Sequence, residues 1–289
     1  MIVRMPDGRE LEVLVNGPAD GLALVMHLGT PSAAVEFEQL TGPAADRGLR
    51  TVLWSRPGYG SSTPQPGRSV ADVAADAVTI LDELGQGRFV TLGWSGGGPH
   101  ALACAALLPE RCAAAATLAG VAPFEADGLD WLAGMGPENV EEFGAARSGD
   151  DALSGYLGRA ASEFAAVTAD QVADALGGLV SEVDKAALTG EFADFLAHSF
   201  RRAVAAGIAG WRDDDLAFVR PWGFALSGIQ VPVSVWQGAE DRMVPYAHGE
   251  WLAAQVPDAR AHLYPEEGHL SLVGQLDRVL DDLVGLSAR

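Results

Sequence analysis

The chain has 289 residues, 48% of them apolar, and sets 19 lysines and arginines against 39 aspartates and glutamates for a formal charge of −20. That length buries a sizeable core, as one large domain or two ordinary ones. The acidic excess repels phosphate backbones and anionic headgroups, which sets aside nucleic acid and membrane surfaces as partners and leaves a solubilising surface.

Two cysteines eight positions apart, Cys104 and Cys112, make no disulfide framework and no thiolate metal cluster. No apolar run reaches the roughly 18 residues that suggest a membrane span. The N-terminal runs are broken by Pro6-Asp7-Gly8, which reads as a hairpin rather than a signal peptide, and a soluble cytoplasmic protein is expected.

In chain order, β-rich runs occur at 2–4, 10–16, 22–26, 51–54, 89–93, 114–119, 233–237 and 261–264. Most are apolar nearly throughout, the mark of strands covered by helices on both faces. Between them, 70–84 carries apolar residues at helical spacing and stops at Gly85, a C-cap. The alternation predicts an α/β fold with a mostly parallel eight-stranded sheet. From Pro123 to about Pro221 strands disappear, and 155–167, 169–179 and 192–206 read as short helices. The expected organisation is a core of 1–122 and 222–289 interrupted by a helical insertion at 123–221. The insertion is either a cap over a site or an extra helical layer, and its length favours the cap.

The stretch VTLGWSGGGPH, 90–100, places Ser95 between the strand at 89–93 and a helix that starts near Gly97 and Pro99. A residue at that turn is forced into a strained backbone, and any side chain at Gly93 or Gly97 strikes the crossing strand or helix. The turn lifts the serine hydroxyl clear of the sheet and aims N–H groups of the helix start at whatever binds there. Gly-x-Ser-x-Gly alone is common by chance; in this strand-turn-helix context it is specific.

Here the sequence resembles the α/β-hydrolase family, over about 11–121 and 222–286. The resemblance implies that fold with an inserted helical cap, and a nucleophile, acid and histidine in the chain order Ser, Asp, His. Asp241 stands three residues beyond Gly238, just ahead of Val244-Pro245, where the family carries its acid. Glu240 is the rival, one place out of register. His269 follows Gly268 ahead of the last helix, as the family's histidine does. In chemical terms a serine hydroxyl is a weak nucleophile: His269 accepts its proton and Asp241 holds the imidazole tautomer.

A tetrahedral intermediate needs N–H donors for its oxyanion. Gly96, directly after the serine, supplies one. The second is expected from Thr30, because Gly29-Thr30-Pro31 matches the last three places of the His-Gly-x-Pro that similar proteins carry. Leu28 replaces that histidine and His27 lies one place earlier, which removes the usual loop brace; His27 reads as a satisfied core or loop histidine. In Ser55–Ser62, Gly58 and Gly60 read as tight turns and Tyr59 as packing or pocket edge. Trp94 is a pocket wall or a side chain buried under the turn. His100, His198, His248 and His262 lack metal or triad context, and Asp213-Asp214-Asp215 reads as a solvated loop rather than a cation site.

The resulting expectation is a serine hydrolase of small or medium carboxylic esters or lactones, acting through an acyl-enzyme on Ser95 with no cofactor and no metal. A serine where related haloalkane dehalogenases and epoxide hydrolases use aspartate sets those activities aside. Two rivals of the same fold stay open, an aminopeptidase or amidase that uses Glu138, Glu141, Glu142 or Glu163 for a substrate amine, and a carbon–carbon bond hydrolase. From another class comes a non-catalytic small-molecule receptor. Oligomeric state is open. The aromatics of the insertion, Phe124, Trp131, Phe143, Phe164, Phe192, Phe195, Phe200, Trp211 and Phe218, either shape an apolar pocket or form the insertion's own core.

Overall fold

Each β-rich run becomes a strand in the computed structural model, which describes residues 1–288. The strands are β1 (Ile2–Arg4), β2 (Glu10–Asn16), β3 (Leu22–His27), β4 (Leu49–Trp54), β5 (Phe89–Trp94), β6 (Cys112–Leu118), β7 (Val233–Gly238) and β8 (Arg260–Tyr264). They form one sheet in the order β1-β2-β4-β3-β5-β6-β7-β8. The β1–β2 and β2–β4 pairings are antiparallel, and all others are parallel. The Pro6-Asp7-Gly8 turn joins β1 to β2, with Gly8 at φ 91°. Several strand ends differ from the expected positions by one or two residues, and two of these shifts have visible reasons. β4 begins at Leu49 because that residue pairs with Leu22, and β6 ends at Leu118 because Ala119 turns into the left-handed region at φ 50°.

The helices are α1 (Glu38–Asp46), α2 (Val73–Glu83), α3 (Gly98–Leu107), α4 (Pro137–Ser148), α5 (Asp150–Phe164), α6 (Val172–Leu176), α7 (Glu182–Ala187), α8 (Gly190–Val204), α9 (Ala209–Phe218), α10 (Tyr246–Gln255) and α11 (Leu276–Ser287). α2 packs on α3, which lies on β5 and β6, while α1 and α11 pack together against β4 and β6. Every residue of β5 is therefore buried, which is why its sequence is apolar without alternation. Among the described residues no helix is long and apolar enough to cross a membrane, and both cysteines are free and buried.

The parallel strands β3, β5, β7 and β8 all point their C-terminal ends to one edge of the sheet. Ligands bind at that edge in open α/β sheets. Ser95, Asp241 and His269 follow β5, β7 and β8 there, and helices α4 to α9, inserted between β6 and β7, face the same edge. Helices α4, α7 and α9 lie outside the helical runs read from the sequence. α9 is the instructive one: it contains Asp213-Asp214-Asp215, and all of these are buried. The expected solvated loop is thus corrected to a buried helical turn, in which Asp213 and Asp214 are paired with arginines and Asp215 lines a cavity.

Candidate active site

Ser95 sits at φ 56°, a conformation that costs a non-glycine residue of order 1–3 kcal/mol and persists only where the surroundings enforce it. The enforcement is visible in the neighbouring glycines. A Cβ on Gly93 would collide with the Gly97 carbonyl, and one on Gly97 with the His27 carbonyl at the end of β3. A Cβ on Gly98 would lie 2.7 Å from Gly120 Cα. The turn is locked between the start of α3 and two strand ends, as the glycine pattern predicts. His100 adds a fastening, its Nδ1 2.9 Å from the Gly96 carbonyl oxygen. Burial and the nearby Arg56 guanidinium push this imidazole down to about 3, so it is neutral and donates from Nδ1.

The loop after β3 lies against this turn. A Cβ on Gly29 would be 3.3 Å from Ser95 Cβ, and one on Gly96 would be 2.5 Å from Thr30 Oγ1. Residues 29–30 and 95–96 therefore share one small volume. The loop brace that Leu28 cannot give comes from Arg56, whose guanidinium donates to the Leu28 carbonyl and, through Nη2 at 3.0 Å, to both the Gly29 carbonyl and Thr30 Oγ1. Thr30 Oγ1 in turn donates to Asp214 Oδ2 at 2.9 Å.

Asp214 also receives Arg56 Nη2 at 2.6 Å, Arg68 Nη2 at 2.7 Å and the Tyr59 hydroxyl at 3.0 Å. Burial raises such a carboxyl, but Arg56 and Arg68 hold Asp214 well below the usual carboxylate range. Tyr59 is packing, not pocket edge. His27 departs from its expected satisfied state: it is buried, lies 3.7 Å from Cys104 Sγ through Nε2, and its Nδ1 has no partner among the described residues. Burial, with His100 and Arg56 nearby, keeps it uncharged.

Asp241 and His269 meet as the chain order requires. His269 Nδ1 donates to Asp241 Oδ2 at 2.8 Å, both side chains being buried. The other oxygen, Oδ1, accepts the N–H groups of Met243 and Val244, each at 2.8 Å, and Gln237 Nε2 reaches Oδ2 at 2.9 Å. A carboxylate so fully supplied with donors is fixed in orientation, and with Nδ1 protonated the imidazole keeps Nε2 as its acceptor. Burial acts to lower the His269 pKa; the Asp241 charge and hydrogen bond outweigh it, and the net direction is upward. Glu240 is exposed. Ser95 and His269 line one cavity. No hydrogen bond joins the serine hydroxyl to the imidazole among the described residues, an arrangement common in sites that tighten only around substrate.

A residue that the sequence did not mark holds His269 from behind. Asp184, buried at the start of α7, accepts the backbone N–H groups of His269 at 3.1 Å, Leu270 at 2.7 Å and Ser271 at 3.0 Å. Ser181, the N-cap of α7, donates its hydroxyl to the same carboxylate at 3.0 Å. Gly268 has no room for a side chain because Asp184 fills that space. Ser181-x-x-Asp184 carries only the ordinary helix-start signal, and nothing in it points to a loop 85 residues away.

The cavity has a volume of about 140 Å³. Of the insertion's aromatics, Phe143, Phe164, Phe200, Trp211 and Phe218 line it, while Phe124, Trp131, Phe192 and Phe195 do not. Trp94 both lines the cavity and stays buried, its ring stacked 6.1 Å from His269. Of the acids weighed for a substrate amine, Glu138, Glu142 and Glu163 line the cavity, whereas Glu141 is at the surface beside Arg159. His248 is structural: Nδ1 accepts Ala122 N–H at 3.1 Å and Nε2 donates to the Trp131 carbonyl at 2.9 Å. His262 stacks on Trp236 with ring centres 3.7 Å apart.

Known proteins resemble this chain in sequence and fold. The chain is 28% identical to a non-heme chloroperoxidase of Streptomyces lividans over 270 residues, covering 92% of this chain and 91% of that one. It is 32% identical over 228 residues to a pimeloyl-[acyl-carrier protein] methyl ester esterase of Aromatoleum aromaticum, covering 78% and 83%. In three dimensions it superposes on an esterase from Exiguobacterium antarcticum with a TM-score of 0.70 at 19% identity, over 100% of this chain and 99% of the other, a likeness of fold. The family model for the alpha/beta hydrolase fold matches residues 23–274, a span that takes in Ser95, Asp241 and His269 with the strands β5, β7 and β8 that they follow. The chain belongs to the α/β-hydrolase family.

Proposed function

We propose that this protein is a serine hydrolase of small or medium carboxylic esters or lactones. Ser95 Oγ attacks the substrate carbonyl while His269 Nε2 takes its proton. Asp241 holds the Nδ1–H tautomer and stabilises the imidazolium that forms. The N–H groups of Gly96 and Thr30 receive the oxyanion, and His269 passes the proton to the leaving alcohol. Water activated by the same imidazole then releases the acyl group. In this reading residues 123–221 are a cap, and Trp94 and the lining aromatics form its apolar acyl or alcohol pocket.

The observation that carries the reading is the 2.8 Å Asp241–His269 contact at the rim of a cavity that also holds Ser95 in its strained turn. A strained, glycine-enforced serine beside a carboxylate-oriented imidazole has no structural purpose that a relaxed turn would not serve at lower cost. The methyl ester esterase among its relatives points to the same bond type. The test is labelling with an organophosphonate probe followed by peptide mapping, together with turnover of nitrophenyl acetate. Labelling at Ser95, and a loss on the order of 10⁶ in kcat for Ser95→Ala with an unchanged melting curve, are expected. Unlabelled Ser95, or Ser95→Ala turnover at the wild-type rate, overturns the mechanism.

A further inference from the structure

Two carboxyls in the cavity wall are not explained by ester hydrolysis. Asp215, on α9, is buried, lines the cavity, and has no N–H or O–H donor on either oxygen among the described residues. Its neighbour is the carboxyl of Glu142 on α4, also buried and cavity-lining, whose Oε1 accepts Trp211 Nε1–H at 2.7 Å. Two acceptor groups thus face each other in a cavity wall that also carries Phe143, Trp211 and Phe218. Buried acids elsewhere in this chain are supplied with donors. Asp214, one residue away, takes two arginines, a tyrosine and a threonine; Asp184 and Asp241 take backbone N–H groups. Burying ionised carboxyls without donors is unfavourable, so a pair left with the single Trp211 N–H and opening on a cavity is built for donors that arrive with a ligand.

We propose that Glu142 and Asp215 form a binding site for a primary ammonium group, so that the natural substrate carries a protonated amine apart from its reacting carbonyl. This rests on the hydrolase reading for the words "substrate" and "carbonyl", but the binding site itself does not. A primary ammonium brings three donors and the positive charge that the pair lacks. A hydroxyl brings one donor and no charge, and a quaternary ammonium brings charge without donors.

The charged surroundings fit. Arg56 and Arg68 are committed to Asp214 on the far side of α9. From α4 the further groups acting on this region are Glu138 and Glu141, and from α5 the Tyr156 hydroxyl, which donates to the Glu138 carbonyl at 3.0 Å. Apart from Arg68 at longer range, no cation competes for the site among the groups that shift this pair. Burial pushes Glu142 up to about 7 and Asp215 well above the usual carboxylate range, the latter also through the Glu142 charge. The empty pair therefore holds a proton near neutrality, and an arriving ammonium displaces it.

The experiment measures binding of n-hexylammonium, 1-hexanol and hexyltrimethylammonium to Ser95→Ala protein by calorimetry between pH 6 and 8.5, and their inhibition of nitrophenyl acetate hydrolysis by the wild type. Hexylammonium is expected to bind at least tenfold tighter than either of the others, and tighter still as pH rises through about 7. Asp215→Asn and Glu142→Gln, which keep shape and remove charge, should each cut the hexylammonium to hexanol affinity ratio by about ten- to hundredfold, the range for a lost charge-assisted hydrogen bond. If hexanol binds the unsubstituted pair as tightly as hexylammonium, the inference is overturned, and this comparison stands even if neither variant folds. A ratio unmoved in both folded variants overturns it as well. Absent ester turnover with intact hexylammonium binding sinks the hydrolase reading instead and leaves the ammonium site standing.

Discussion

Removing the Asp184 carboxylate should loosen His269 without touching it. The carboxylate accepts the N–H groups of residues 269, 270 and 271, and hydrogen bonds to a charged group contribute about 1.5–3 kcal/mol each. Simple addition gives about 4.5–9 kcal/mol, but bonds sharing one acceptor are not independent and water enters the gap, so Asp184→Ala is expected to cost about 3–5 kcal/mol. For a chain of this size that is roughly 5–8 °C in melting temperature. Asp184→Asn keeps an oxygen for Leu270 and Ser271 but turns an amide N–H toward that of His269, so its loss should be smaller, about 1–3 kcal/mol. Because the loop carries the imidazole, a displacement near 1 Å should lower kcat/KM for nitrophenyl acetate by about 100-fold in the alanine variant, measured at a temperature where it is still folded. An alanine variant melting within about 2 °C of wild type would show that the carboxylate does not hold the loop. A strongly destabilised variant with full kcat/KM would leave Asp184 as a structural anchor and refute its positioning role.

Asp241→Asn should drop kcat by about 10⁴ with geometry retained, while exposed Glu240→Gln changes nitrophenyl acetate turnover less than twofold; the reverse ranking refutes the acid assignment. The pH dependence follows from the raised His269 pKa: the imidazole is protonated and unable to act as base below it, so kcat/KM should fall on the acid side with its midpoint above 6.5. In Asp241→Asn the two larger raising causes are gone and only the smaller Asp184 charge opposes burial, so the residual activity should show its midpoint below that of the wild type. Gly97→Ala drives a methyl into the His27 carbonyl, and it should melt well below wild type or fail to fold. A Gly97→Ala protein of unchanged stability and phosphonate labelling would mean that the turn is not locked as described.

The sheet was legible because strands covered on both faces must be apolar without alternation, and β5, wholly buried, could hardly read otherwise. The serine turn was legible because close backbone approach at 93 and 97 leaves glycine as the only residue that fits. The pairing of Asp241 with His269 was legible because each lies in the loop that follows its own strand. Helices α4 and α9 were not, since acids buried on them (Glu142 and residues 213–215) interrupt the apolar period that marks a helix's inward face. Asp184 and Arg56 escaped for a related reason. Each acts on a loop distant in sequence, and neither its residue type nor its neighbours encode the distance.

The consecutive acids 213–215 show why that information lies only in the fold. Asp214 faces Arg56 and Arg68, stays ionised, and ties α9 to the loop that carries Thr30. Asp215, on the next rung of the same helix, faces Glu142 and the cavity and is pushed toward the neutral form. A helix turns about 100° per residue, so adjacent identical side chains necessarily enter different surroundings. Here one aspartate braces the loop at the serine turn and the next stands in the wall of the cavity that Ser95 also lines. Anything that rotates α9 must then disturb both at once: the Thr30 loop through Asp214 and the ligand's polar end through Asp215. In the proposed mechanism, binding at the acid pair is thus linked through one helical turn to the loop whose Thr30 N–H receives the oxyanion.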